Sequence, residues 1–352
     1  MGGTGRMKEK AKQKRPTTPY DDVFRTLVER CRKSTLLFLN EMFRNTGYIE
    51  TYTGDEKIEL LNNEHMGELG KSGADKRISD SHIRVYGKQA VNEFHIECQS
   101  THDDNIIFRI FEYSARMAQE EALENGTLQS DVLEVNFAYS GLLYLKEEGN
   151  TPNELRIRIH TPGGSASYVV PVVRMREYTA DDIIDRRLYF LIPFFSFTVY
   201  QKFAMLERDE EQRRKHIRDL DRLLVFLQQE ETDGKIGTYE SIELAEAVEY
   251  VEKALITVRW PNLKKGVNAY MSGKVLEFRI DKVYKQGREE GREEGREQGR
   301  EEGVLFTALA TARSMFEQGL SFEVVRKCTD KSVTDEQLQE IEKEVTGSLM
   351  QG

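Results

Sequence analysis

Asp80, Glu97 and Gln99 are the residues whose types and spacing could do chemistry. They sit in two runs, 78–86 (ISDSHIRVY) and 91–99 (VNEFHIECQ), where apolar and polar side chains alternate. Alternation marks a strand, because successive side chains point to opposite faces. In the first run Ile83 and Val85 share one face, and Asp80, His82 and Arg84 the other. In the second, Phe94, Ile96 and Cys98 share one face, and Glu93, His95, Glu97 and Gln99 the other. A two-residue turn at Lys88-Gln89 pairs the apolar faces, setting Ile83 against Phe94, Arg84 against Glu93 and Asp80 against Glu97, with Gln99 on the same face. Lys88-Gln89 is not a strong hairpin turn, and a bulge would shift this register.

Two carboxylates directly opposite each other destabilise a sheet. Either one is protonated or a cation lies between them. Oxygen donors of this kind suit Mg2+ or Mn2+, an ion held by one or two carboxylates plus water and phosphate. Such an ion polarises a phosphodiester and lowers the pKa of an attacking water. Gln99 is placed to orient that water or a phosphate oxygen. The competing reading is a solvated acidic hairpin face without chemistry. His82 and His95 could meet near the site, and for them a hydrogen-bonded or exposed histidine is the ordinary alternative to a ligand.

The positioning elements follow from periodicity. Residues 20–46 read as a helix capped by Asp21 or Asp22, with Phe24, Leu27, Val28, Cys31, Leu36, Leu37 and Leu39 as its apolar side. A polar stretch over 67–75 breaks the pattern. Residues 105–124 read as a helix with Ile106, Ile107, Ile110, Ser114, Met117 and Ala118 as the buried stripe. Arg109, Tyr113, Arg116 and Glu120 form a second row, so Arg109 and Arg116 are candidates for phosphate contact, against the default of an exposed helix row. Strands are expected over 131–145, 154–160 and 168–175, with Gly163-Gly164 as a turn. The apolar run 188–203 is read as helix, and 206–273 as charged helical segments with Ile217, Leu220, Leu223, Leu224 and Leu227 at helical spacing.

Gly287, Gly291, Gly295, Gly299 and Gly303 then recur every four residues, separated by Arg-Glu-Glu or a close variant. In a helix such a row drifts by only about 40° per repeat. Each interior glycine costs about 1 kcal/mol relative to alanine, and like charges stack at i,i+4. The repeat is therefore a spacer, or a helix that forms on self-association. The expected organisation is a basic, disordered start (1–16), an α/β domain (17–205), a helical region (206–285), the repeat (286–303) and a helical end (304–352).

Composition narrows the class. The charged share is 32% and the hydrophobic share 38%, which fits a globular domain with solvated helical appendages. Three separated cysteines form neither a disulfide framework nor a zinc spacing, which favours a reducing compartment. No apolar run reaches the roughly 18 residues of a membrane span, and the basic start has no apolar core behind it, so a cytoplasmic chain is expected. A net charge of −10 weighs against a general nucleic-acid binder but says little about a local patch.

The order of a helix opening Asp21-x-x-Phe24-Arg25, then Asp80, then Phe94-His-Ile-Glu97-Cys-Gln99, then a helix with Arg109 and Tyr113, resembles the Rpn family. These are recombination-promoting nucleases, also labelled putative transposases, within the PD-(D/E)XK superfamily. The resemblance covers 18–205, and a second stretch over 265–303 whose Met271-Ser-Gly273-Lys-Val-Leu-Glu and Gly-Arg-Glu-Glu repeats look like the tails of such bacterial proteins. It implies a restriction-endonuclease-like mixed sheet flanked by helices, with Asp80 and Glu97 binding Mg2+ or Mn2+ and Gln99 replacing the superfamily lysine. By the same analogy Glu64 joins the acidic site. The implied activity is hydrolysis of DNA phosphodiester bonds with low sequence specificity, in recombination or mobile-element transfer. The alternative is a catalytically inactive nuclease-fold module that binds or assembles, self-associating through the repeat.

Overall fold

The computed structural model describes residues 18–47, 49–61, 64–65, 77–78, 81–100, 105–124, 132–146 and 152–349, with backbone only for 64–65, 77–78, 124, 346–349 and most of 272–302. The chain divides into two compact units, Met1–Arg279 and Ile280–Gly352. The first is α/β. Its elements are α1 (Pro19–Arg30), α2 (Arg32–Phe43), β1 (Lys57–Leu60), β2 (Glu64–His65), β3 (Arg77–Ile78), β4 (Ser81–Tyr86), β5 (Val91–Gln99), α3 (Ile106–Glu124), β6 (Tyr139–Tyr144), β7 (Glu154–Thr161) and β8 (Gly164–Arg174). Then come α4 (Ala180–Asp185), a 3-10 helix (Tyr189–Lys202), α5 (Phe203–Arg208), α6 (Glu210–Thr232), α7 (Thr238–Leu255) and the start of α8 (Pro261–Glu317).

Six strands form one mixed sheet in the order β1-β4-β5-β6-β8-β7. β5, β6 and β8 run parallel, and the other neighbours are antiparallel. A parallel neighbour needs a crossover connection, which α3 supplies between β5 and β6. The β4–β5 register sets Ile83 against Phe94 and Arg84 against Glu93, as the alternation predicts. The described ladder ends at Ser81 opposite Ile96, so the expected pairing of Asp80 with Glu97 lies outside the described residues.

The two faces are filled differently. On one, Phe94, Ile96, Cys98, Ile83 and Val85 pack with Phe24, Leu39, Met42 and Phe43 of α1 and α2. On the other, Leu142, Tyr144, Ile157 and Val170 pack under Ile106 and Ile110 of α3. Gly141 lets β6 approach α2, because a Cβ there would lie 2.1 Å from Sδ of Met42.

Several expectations are corrected. The helix over 20–46 is two helices broken at Cys31 (φ −105°, ψ 68°), and its first cap is Thr18, which exchanges hydrogen bonds with Asp21 at the third helical position. Of the described residues in 131–145, only Tyr139–Tyr144 forms a strand. The run 188–203 is a 3-10 helix with Pro193 inside. Aromatic rings at every third position explain the tighter winding: Phe194 meets Phe197, Phe197 meets Tyr200, and Tyr200 meets Phe203 at centroid distances of 6.5, 6.4 and 5.4 Å. The helical segment after 206 does not stand apart. Leu220, Leu223, Leu224, Leu227, Val248, Val251 and Phe278 share one core with α1, α2 and the 3-10 helix.

The second unit is helical, built from the end of α8 with α9 (Phe322–Cys328) and α10 (Asp335–Leu349) around Ala312, Phe316, Val325, Val333, Leu338, Ile341 and Val345. The repeat backbone is helical, within α8. Among the described residues no helix is long and apolar enough to cross a membrane.

Where the 3-10 helix packs on α6 and α7, three polar groups are buried together. Ser196 Oγ lies 2.9 Å from Nε2 of His216, whose ring stacks on Phe195. Burial drives the His216 imidazole down to about 4. Burial pushes the carboxyl of Glu252 up to about 7, against a smaller lowering by the Ser196 hydroxyl. The two act oppositely on stability. Unfolded His216 takes a proton below about 6.5 that the folded state refuses, so its contribution is lost as pH falls from 6.5 towards 4. Folded Glu252 keeps a proton that the unfolded carboxyl has released above its ordinary 4.5, so its contribution is lost as pH rises from 4.5 through 7. The wild type should thus be nearly level between pH 4.5 and 6.5. Glu252→Gln should show stability rising with pH over that range, by roughly 3 kcal/mol, and should exceed the wild type at pH 8, as read by urea denaturation.

Candidate functional site

β5 occupies the middle of the sheet, between β4 and β6. Its polar face, Glu93, His95, Glu97 and Gln99, turns to the side covered by α3, because Glu97 pairs with Leu142 and Gln99 with Tyr144 and both partners lie under that helix. A polar row is thereby placed inside the protein: His95, Glu97 and Gln99 are 0%, 2% and 0% exposed. Burial of this kind demands compensation, since an uncompensated buried charge costs several kcal/mol.

The second row of α3 provides it. Arg109 donates from Nη2 to Oε2 of Glu97 at 3.0 Å and to Oε1 of Gln99 at 3.3 Å. His95 Nε2 lies 3.0 Å from Oε1 of Glu97, within hydrogen-bond distance of that carboxyl oxygen. Tyr113, one turn after Arg109, sets its ring against His95 at 5.6 Å and 81°. The period-two row of β5 and the helical row of α3 thus interlock residue by residue. Arg116, the other cation of that row, pairs with Glu112 on its own helix at 3.0 Å.

The polar face continues toward the sheet edge. His82 stands opposite His95. Its Nε2 lies 3.3 Å from Oε2 of Glu93, while Nε of Arg84 donates to Oε1 of Glu93 at 2.9 Å. Those bonds, first from His82 and then from Arg84, hold the Glu93 carboxyl below its ordinary range, and the same Glu93 bond pushes the Arg84 guanidinium up. On β1, Glu59 is lowered by the Tyr86 hydroxyl, then by Arg84. Nδ1 of both His82 and His95 is buried without a hydrogen-bond partner among the described residues.

Of the residues singled out from sequence, the fold brings Glu97, Gln99 and Arg109 together. Asp80 lies outside the described residues. Glu64 is in β2, where its backbone pairs with Ile78, two residues before Asp80, and its side chain is not described. No group of three or more His, Cys, Asp or Glu suited to a metal occurs among the described residues. His82 and His95 do meet, and His95 is the hydrogen-bonded histidine that the sequence favours over a ligand; its pairing with Glu97, two residues on along the same strand face, is what the sequence reading leaves out. Comparison with protein-family models, curated proteins and solved structures found no match to this chain.

Arg109 and Glu97 make a measurable couple. Arg109→Ala should destabilise the unit by about 3 kcal/mol, because Glu97 keeps its buried charge and loses a cation. Adding Glu97→Gln should recover a good part of that loss. Urea denaturation of the four proteins checks this; additive effects would mean that the pair contributes nothing.

Proposed function

We propose that this chain is a metal-dependent DNA endonuclease of the PD-(D/E)XK type, hydrolysing phosphodiester bonds with low sequence specificity and serving recombination or mobile-element transfer. One observation supports the reading above others: the Glu97 carboxylate and the Gln99 amide oxygen converge on a single nitrogen of Arg109. That point of convergence favours positive charge, and its donors are the oxygens a hard divalent cation takes. Glu97 would hold Mg2+ or Mn2+, with Asp80 and Glu64 joining it by resemblance. When bound, the ion would supply polarisation of the scissile phosphate and an acidified water. In this reading Gln99 accepts from and orients the attacking water. His95 fixes the Glu97 rotamer, and Arg109 exchanges its carboxylate for a substrate phosphate oxygen.

A second reading has its own support. Both Glu97 oxygens are already engaged, by His95 and Arg109, as in a satisfied structural carboxylate. The fold would then serve binding or assembly, with the Gly-Arg-Glu-Glu repeat joining copies. Plasmid nicking separates the two. Wild type should nick supercoiled DNA with Mg2+ or Mn2+ and stop in chelator, while Glu97→Gln should fall on the order of a hundredfold or more. No nicking by folded wild type under either metal, with oligomers lost on deletion of 286–303, would establish the assembly reading instead.

A further inference from the structure

β7 and β8 form a two-stranded ribbon that outruns the sheet. β8 pairs with β6 only at Leu142↔Val172, Leu143↔Val173 and Tyr144↔Arg174, whereas its pairing with β7 runs from Pro171 out to Gly164. The turn is Pro162-Gly163, and no atom lies within 4 Å of where a Cβ would stand at Gly163 or Gly164. The ribbon is anchored on one face only: Leu155, Ile157, Ile159, Tyr168 and Val170 pack in the cluster under α3. Its other face carries Arg156, Arg158 and His160 along β7, opposite Val169, Ser167 and Ser165 of β8. All three basic residues and both serines are exposed.

In a chain of net charge −10 this is a concentration of donors with little neutralising it. Arg156 touches Glu154 at 2.8 Å, an exposed pair that holds it weakly. Arg158 and His160 have no ion pair among the described residues. Alternate residues of a strand recur about every 6.8 Å, which matches consecutive phosphates along one nucleic-acid strand. As the edge strand of the described sheet, β7 has no strand on its outer side among the described residues, which leaves outward backbone N–H groups as a further class of phosphate donor. A two-stranded ribbon is narrow enough to enter a major groove.

We propose that the exposed face of the β7–β8 ribbon, through Arg156, Arg158, His160, Ser165 and Ser167, binds the phosphate backbone of duplex DNA. This rests on the reading of DNA as substrate. Val172, where the ribbon leaves the sheet, lies in the same cross-strand row as Glu97 through Leu142. Arg158, opposite Ser167, is five residues along β8 from Val172, or about 17 Å. It faces away from the Glu97 side, so the ribbon grips flanking duplex and leaves the scissile bond to the polar row.

The test is fluorescence anisotropy of a short labelled duplex with the full chain, in chelator and over a salt series. Arg156→Glu/Arg158→Glu should weaken binding about tenfold or more and reduce the salt slope by about 2. Ser165→Glu/Ser167→Glu, which leaves the arginines in place, should weaken it in the same direction. Arg214→Glu, which changes an exposed α6 arginine paired with Glu210, should bind like the wild type. Unchanged affinity in both ribbon variants, an equal loss from Arg214→Glu on α6, or ribbon-dependent binding to phosphatidylserine vesicles with none to duplex overturns the proposal. Ribbon-dependent binding without nicking by any protein would overturn the nuclease reading and leave the ribbon standing.

Discussion

A carboxylate buried in the middle of a sheet must be compensated, and much of the first unit is arranged around that requirement at Glu97. Its strand has neighbours on both sides and a helix over its polar face, so water is not the solvent for this charge. A cation has to come from within the chain, and α3 delivers one. That helix is held by its apolar stripe, with Ile106 and Ile110 set on Leu142 and Tyr144. The same rotation that buries the stripe brings Arg109 and Tyr113 over Glu97 and His95. Packing and charge compensation therefore depend on one helix placement. A shift of α3 along the strands would forfeit both the hydrophobic contact and the ion pair.

Much of this geometry is written locally, and there the sequence is legible. Arg84 opposite Glu93 and Ile83 opposite Phe94 follow from alternation together with a two-residue turn at Lys88-Gln89: a slip of one residue would expose Phe94 and Ile96 and bury Glu93 among apolar side chains, and the turn fixes which pairs meet. Gln99 shares the Glu97 face for the same reason. Arg109 was visible as a member of a helical row, but its partner was not. Whether such a row meets solvent or a strand depends on how α3 is docked, a tertiary fact.

What stayed hidden is what distant residues decide. The break at Cys31 leaves the Ser34 N–H without a helical partner, and the acceptor is Oε1 of Glu240 at 2.6 Å, brought in by α7. A helix read through 20–46 has no local reason to stop, since the capping carboxylate lies 206 residues away. Arg30, just before the break, reaches Glu243 one turn along the same helix at 3.0 Å. The 3-10 segment is the opposite case. Its three-residue aromatic period was present in the chain, but a window tuned to 3.6 residues merges Phe194, Phe197, Tyr200 and Phe203 into an apolar run.

The polar row and the ribbon carry the argument on function because each departs from what the fold needs for stability. A sheet centre is cheapest when apolar, and β5 could have continued on its α3 side with residues like Leu142 and Tyr144 of β6. It carries His95, Glu97 and Gln99 instead, and α3 spends a partly buried arginine to hold them. Replacing a buried ion pair by well-packed apolar residues is often neutral or stabilising, so the pair is not explained by stability. The same reasoning separates the ribbon from an ordinary edge. Charges on an edge strand discourage pairing with other chains, and one or two suffice for that. Two arginines and a histidine at three successive outward positions, the last two faced by serine hydroxyls across the register, go beyond that need. Under the proposed function an anionic polymer would be the missing partner, the same polymer that a carboxylate and an amide gathered under an arginine would be suited to cut.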